Sequence, residues 1–107
     1  MRFWLASNVP EMVERYLKIG VFDGVITNPD LIADTGRPYP AVLQQLCDVA
    51  PEVFFQVPTY DPDEMNRVAE KAIGVNPERV RLKVPATANG LVLISALSST
   101  GRRPMAT

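Results

Sequence analysis

Apolar and polar positions along the chain switch repeatedly between a period of two and a period near 3.6. Arg2 to Ala6 reads as a strand, and Ser7, Asn8 and Pro10 mark a turn into a helix whose apolar face is Met12, Val13, Tyr16, Leu17 and Ile19, stopped by Gly20. Gly24 to Asn28 is a second strand ended by Pro29. Asp30 to Asp34 is a short helical turn, and Pro38 to Ala50 a helix with Val42, Leu46, Val49 and Ala50 on one side. Glu52 to Val57 is the third strand. The next helix opens on Asp61 as N-cap, with Pro62 in the first turn and Glu64 three residues after the cap; Met65, Val68, Ala69, Ala72 and Ile73 form its face and Gly74 closes it. Arg79 to Val84 is a fourth strand stopped by Pro85. Asn89 to Ser99 is a fourth main helix, with Leu91, Ile94, Ala96 and Leu97 available for packing and Gly101 at its end, and Pro104 to Thr107 begins a fifth strand.

Strand, helix, strand at intervals of roughly 25 residues is the pattern of βαβ units and a parallel sheet. Such a sheet either stays open and doubly wound or closes into a (β/α)8 barrel. An open sheet with a nucleotide site usually carries a glycine-rich first turn. Here that turn is Ala6-Ser7-Asn8-Val9-Pro10. A complete barrel takes about 250 residues. The 107 residues therefore read as one domain, residues 1–107: an α/β, TIM-barrel-type fold, incomplete, with about four βα units and the start of strand five.

Composition narrows the chemistry. Eleven Lys and Arg against twelve Asp and Glu leave no basic field for nucleic acid, and no apolar stretch approaches the roughly 20 residues of a membrane span. The first residues lack the charged lead and long apolar core of a signal peptide, and a single cysteine, Cys47, forms no internal disulfide framework, so a reduced, cytoplasmic setting is expected. The same cysteine reads as a buried structural thiol. With no histidine, Ser-His-Asp and Cys-His catalysis and the commonest zinc ligand are excluded, and chemistry falls to lysine, carboxylate, amide or hydroxyl groups.

Alternation along strand four puts Val80, Leu82 and Val84 on one face and Arg81 and Lys83 on the other. In a barrel the apolar set meets the helices and the other points inward. The same parity makes Asn28 the last inward residue of strand two, Gln56 a late inward residue of strand three, and Thr27 outward and structural. Three polar side chains thus converge at the C-terminal rim, where barrel active sites sit. The competing reading of Lys83 is a strand-end lysine that reaches solvent. Arg81, roughly 6–7 Å from Lys83 by strand rise, either disfavours protonation of that lysine or pairs with a carboxylate at the barrel floor, for which early, inward Glu52 is the candidate. Tyr39 and Tyr60, at helix entries, read as packing residues.

The segments Gly24-Val25-Ile26-Thr27-Asn28-Pro29 and Leu82-Lys83-Val84-Pro85-Ala86-Thr87-Ala88-Asn89-Gly90-Leu91, with Phe55-Gln56-Val57 between them, resemble the signatures of transaldolases and of the small aldolases similar to fructose-6-phosphate aldolase, over their N-terminal half. The resemblance implies a Schiff base on Lys83, with Asn28 holding a substrate oxygen, Gln56 organising the catalytic water, and Thr107 as the strand-five threonine that orients it. It implies a sugar or sugar phosphate as ligand, with no metal and no organic cofactor. An unprotonated amine is required, and an ordinary lysine, with a pKa of about 10.4, is almost wholly charged at neutral pH unless desolvation or a nearby cation lowers it.

The chain departs from that pattern in three ways: Ala6 stands where the family usually carries an aspartate, Ile26 replaces an inward threonine, and the acid/base and phosphate-binding groups of the later strands are absent. Two functional readings follow: part of a Schiff-base transaldolase or aldolase, or an inactive half-barrel acting as an interaction protein. In either case unpaired sheet edges favour a homo-oligomer.

Overall fold

A computed structural model describes all residues, 1–107. The elements are β1 (Trp4–Ala6), α1 (Pro10–Leu17), β2 (Gly24–Ile26), α2 (Pro29–Asp34), α3 (Tyr39–Val49), β3 (Val53–Gln56), α4 (Pro62–Val75), β4 (Val80–Val84), α5 (Ala88–Ser99) and β5 (Met105–Ala106). The strands form one sheet in sequence order, every neighbouring pair parallel. The sheet curls into half a barrel with the helices on its convex side, an incomplete (β/α) barrel as the alternating pattern predicts.

Local chemistry sets the helix starts. Proline occupies the first turn of α1, α2, α3 and α4, where its missing N–H costs nothing. Asp61 caps α4 by accepting from the Glu64 N–H at 3.0 Å, and Thr87 caps α5 through the Gly90 N–H at 3.1 Å. Gly90 also has a steric reason to be glycine: a Cβ there would lie 1.7 Å from the Pro85 carbonyl oxygen. The first turn of α5 therefore presses directly on the end of β4. Gly24 is similarly constrained, since a Cβ would lie 2.3 Å from the Glu52 carbonyl oxygen across the β2–β3 seam.

The core lies between sheet and helices. Val25, Val53, Phe55, Val80, Leu82 and Val84 from the strands pack against Val13, Leu43, Leu46, Cys47, Met65, Ala69 and Ala72 from the helices. Removing a Leu or Val side chain fully from water contributes about 1.5–3 kcal/mol, so this layer carries most of the stability. Thr27 is the buried polar exception, satisfied by donating its hydroxyl to the Phe54 carbonyl at 2.7 Å. Its outward, structural position agrees with its parity.

Two helix faces differ from expectation. In α5 the buried residues are Gly90, Leu93 and Leu97, while Leu91 and Ala96 face solvent. That helix is apolar almost all round, so periodicity alone selects no face. In α1 only Val13 is fully buried and Met12 is exposed, because α1 lies at the end of the helical layer; Ile19, expected on its apolar face, lies beyond the helix end at Leu17 and is exposed. Gly74 lies inside α4, which runs one residue further before Asn76 ends it.

Candidate active site

The concave face is built from the other parity of the strands. Along β4, Val80, Leu82 and Val84 are buried against the helices, whereas Arg81 and Lys83 are half-buried on the inner side. Lys83 stands opposite Gln56 on β3 and Met105 on β5. Adjacent strands lie about 4.8 Å apart, so Gln56 and Lys83 are side by side at the rim. The Lys83 amine takes part in no ion pair and no hydrogen bond within the chain, while its carbonyl accepts from the Val57 N–H at 2.9 Å. The strand is thus fixed and the amine left available.

The other rim residues behave differently from one another. Asn28 lies beyond the end of β2 and is the N-cap of α2, its Oδ1 accepting from the Leu31 N–H at 2.8 Å. The expected last inward strand residue is therefore also a capping residue, with one amide oxygen lone pair committed to the helix. Asn8 reaches the same turn, donating from Nδ2 to the Leu31 carbonyl at 2.7 Å; nothing in the strand parity singled it out. Thr107 continues the β4–β5 ladder: its N–H donates to Val84 at 2.9 Å and its carbonyl accepts from Ala86 at 2.8 Å. It lies two residues beyond Met105, on the parity that faces Lys83. Ala6 and Ile26, the two departures, are register partners across β1 and β2.

The floor of the concavity corrects one expectation. Glu52 does not pair with Arg81. Its carboxylate accepts from Arg2 at 3.0 Å and from the Trp4 indole N–H at 3.3 Å. Arg2 also stacks 5.0 Å above the Trp4 ring, which meets Phe54 edge-on at 5.5 Å. Arg2, at the start of the chain and exposed, lies nearer to Glu52 than the inward arginine of the adjacent strand, which sequence parity could not rank. Tyr39 packs as expected, stacked on Phe55 at 4.8 Å, and burial followed by the Glu64 charge pushes its hydroxyl pKa up. Tyr60 is exposed instead, its backbone carbonyl accepting from Asn89.

The largest surface depression, about 600 Å³, lies away from Lys83, lined by residues such as Asn8, Asp34, Arg37 and Asp48. It is open and holds no lysine, so the concave face is the better candidate. No group of three His, Cys, Asp or Glu side chains comes together to hold a metal, and no helix is long and apolar enough to cross a membrane.

No family model matches the chain. Individual proteins do. It is 42% identical over 106 residues to a probable transaldolase of Dehalococcoides mccartyi, covering 96% of this chain and 49% of that protein. A probable transaldolase of Chelativorans is 33% identical over 103 residues, 95% of this chain and 47% of that protein, and one of Aquifex aeolicus is 32% identical over 102 residues, 94% and 46%. The chain is transaldolase-like and corresponds to the N-terminal half of that family's proteins. It spans about half the length of the curated relatives it matches. The transaldolase-like motifs around Asn28 and Lys83 thus sit on the rim of β2 and β4, and the half-barrel is the fold expected of them.

Proposed function

We propose that this chain supplies the lysine-bearing half of a transaldolase-type site, in which Lys83 forms a Schiff base with a ketose or ketose phosphate. The observation that carries this reading is the position of Lys83: inward, at the C-terminal end of a central strand, free of any charge partner, beside Gln56. The kinship with probable transaldolases supports the same reaction class.

The amine attacks the ketose carbonyl, and loss of water leaves a protonated imine. As a water in the concavity takes the proton of the neighbouring hydroxyl, the adjacent carbon–carbon bond breaks, its electron pair passes into the imine to leave an enamine, and an aldehyde departs. The enamine carbon left on Lys83 either attacks an aldose carbonyl, whose oxygen takes up a proton, as a transferase, or is itself protonated, as a lyase; in both cases water then hydrolyses the imine and frees the amine. Gln56 holds that water by its amide, the Asn28 amide nitrogen binds a substrate oxygen while its oxygen caps α2, and Thr107 orients the water from strand five. The chemistry uses no metal or organic cofactor and belongs to cytoplasmic carbohydrate metabolism.

The test is borohydride reduction of the chain with fructose 6-phosphate or dihydroxyacetone, followed by peptide mass mapping. The chain has two other lysines: Lys18, exposed beside Glu14, and Lys71, over the Tyr39 ring. Label on Lys83 alone is expected. Label spread over all three, or none at Lys83, rejects the assignment.

A further inference from the structure

From Val84 to Gly101 the chain carries no Asp, Glu, Lys or Arg, and all of α5 lies within that stretch, whereas each of the other four helices bears charge. A helix that is apolar all round, with no charged face to give to water, is one that is covered on every side. Leu93 and Leu97 of α5 are buried in the core, yet on its outward side Leu91 is 54% and Val92 72% exposed. Beside Val92 runs a groove of about 260 Å³ between α4 and α5, floored by Met65 and Leu93 and lined by no ionisable side chain. That volume falls below the roughly 300–1,000 Å³ of small-molecule pockets, and the groove offers a ligand no charge to fix it. The sheet order excludes a further helix of the barrel as the cover. Strands added after β5 would extend the sheet on the side of α5 away from α4, and the groove would stay open.

The charges at the two ends of this surface are opposite in sign. Asn89 donates to the Tyr60 carbonyl at 3.2 Å and ties the starts of α4 and α5 together, and at that end lie Asp61 and Asp63. Arg102 and Arg103 follow the other end of α5. None of the four is in an ion pair. We propose that the outward face of α5 and the groove beside it dock a second copy of this chain, antiparallel about a two-fold axis beside Val92. Val92 of each copy then enters the groove of the other, and the acidic end of each meets the basic end of its partner. A knob next to the groove that receives it is what a two-fold contact between identical surfaces requires. Ala88, Ser95 and Ser99, exposed along the same side, are small enough to let the two helices approach closely. A parallel arrangement would set like charges against one another, which charge complementarity disfavours. The contact lies on the convex side of the sheet, so its failure would leave the lysine trapping result untouched.

The experiment is sedimentation velocity of the 107-residue chain over about a hundredfold range of concentration, since association follows mass action. Val92→Glu and Val92→Lys should each weaken association by about tenfold or more, because each would bury two like charges beside the axis. An equal mixture of the two variants should recover it, as Glu and Lys then face each other. Ile19→Glu, an exposed apolar position far from α5, should associate like the unaltered chain. Asp63→Arg and Arg103→Asp should each weaken association, and the two combined in one chain should restore it. A monomer at every concentration overturns the proposal and leaves the face to a different polypeptide. Association that survives both Val92 variants, or that Ile19→Glu disrupts equally, also overturns it and places the contact at the sheet edges. Failure of the mixture to recover rejects the two-fold axis at Val92. If either charged variant lowers the urea midpoint of the monomer, Val92→Ser serves, since it removes the knob without adding charge and should still weaken association.

Discussion

Gln56 and Lys83 are register partners across β3 and β4, and both point into the concavity. A side chain so placed shares the immediate surroundings of the reactive amine without bonding to it. In a complete barrel carrying these strands, Gln56→Ala is expected to leave borohydride trapping at Lys83 intact and to lower turnover by about 100-fold, the usual cost of losing one positioned hydrogen-bonding group. Equal loss of trapping and turnover would make Gln56 a determinant of the lysine itself.

Ala6 lies opposite Ile26 in the β1–β2 register, so the two departures from the family pattern form one site. Imine formation needs the amine and a positioned carbonyl, while later proton transfers gain about 100- to 10,000-fold from a fixed acid/base group. Restoring the carboxylate as Ala6→Asp together with Ile26→Thr, in a complete barrel, should raise turnover more than trapping yield. Ala6→Asp alone should give less, because Ile26 offers its carboxylate no hydrogen-bond partner. Turnover already as fast with Ala6 and Ile26 would mean that this protein moves its protons by other groups.

The close approach of α5 to β4 predicts a large contrast between two glycines. Gly90→Ala forces the Pro85 carbonyl to move and should destabilise the chain by about 1–3 kcal/mol, as overpacking does. Gly74→Ala, inside α4 with nothing within 4 Å of the added Cβ, should stabilise by about 0.5–1 kcal/mol. Urea midpoints of the two variants measure both signs.

Burial pushes the Cys47 thiol up to about 11, outweighing the Arg79 charge that lowers it. The raised folded pKa means that the thiol's contribution to stability is fully present below the unfolded value near 9 and is lost as pH rises towards 11. Stability should therefore fall over that window in the unaltered chain and fall less in Cys47→Ala. Alkylation of native Cys47 at pH 8 should be slow and become rapid in urea; fast native alkylation would contradict the burial.

β1 pairs only with β2, and β5 only with β4, so both ends of the sheet present unpaired backbone groups. Phe3, Met12, Leu91 and Val92 add exposed apolar surface at the margins. The isolated chain is accordingly expected to form dimers or larger species in sedimentation velocity runs. A monomer over a hundredfold range of concentration would argue that edges this short do not recruit a second copy.

The strand–helix alternation and the inward parity of Arg81 and Lys83 were readable because both depend on spacing along a single element. Contacts between elements were not. Asn28 shares the inward parity, but its cap to Leu31 depends on where β2 stops, and strand ends are set by pairing. The choice of Arg2 over Arg81 by Glu52 depends on two segments 50 residues apart, and the buried side of α5 depends on Pro85 meeting Gly90. For Gln56 and Lys83, spacing gives the face and the parallel register gives the neighbour, so the pair was recoverable from each strand read alone.

The sheet order β1-β2-β3-β4-β5 is also a schedule for synthesis. Each strand has only to find the one made immediately before it, with a single helical crossover region between. Such connections keep loop-closure costs small and suit growth from the ribosome in the N-to-C direction. The growing tip of the nascent chain is then always a fresh strand edge, and each edge is a template only until the next strand emerges to cover it.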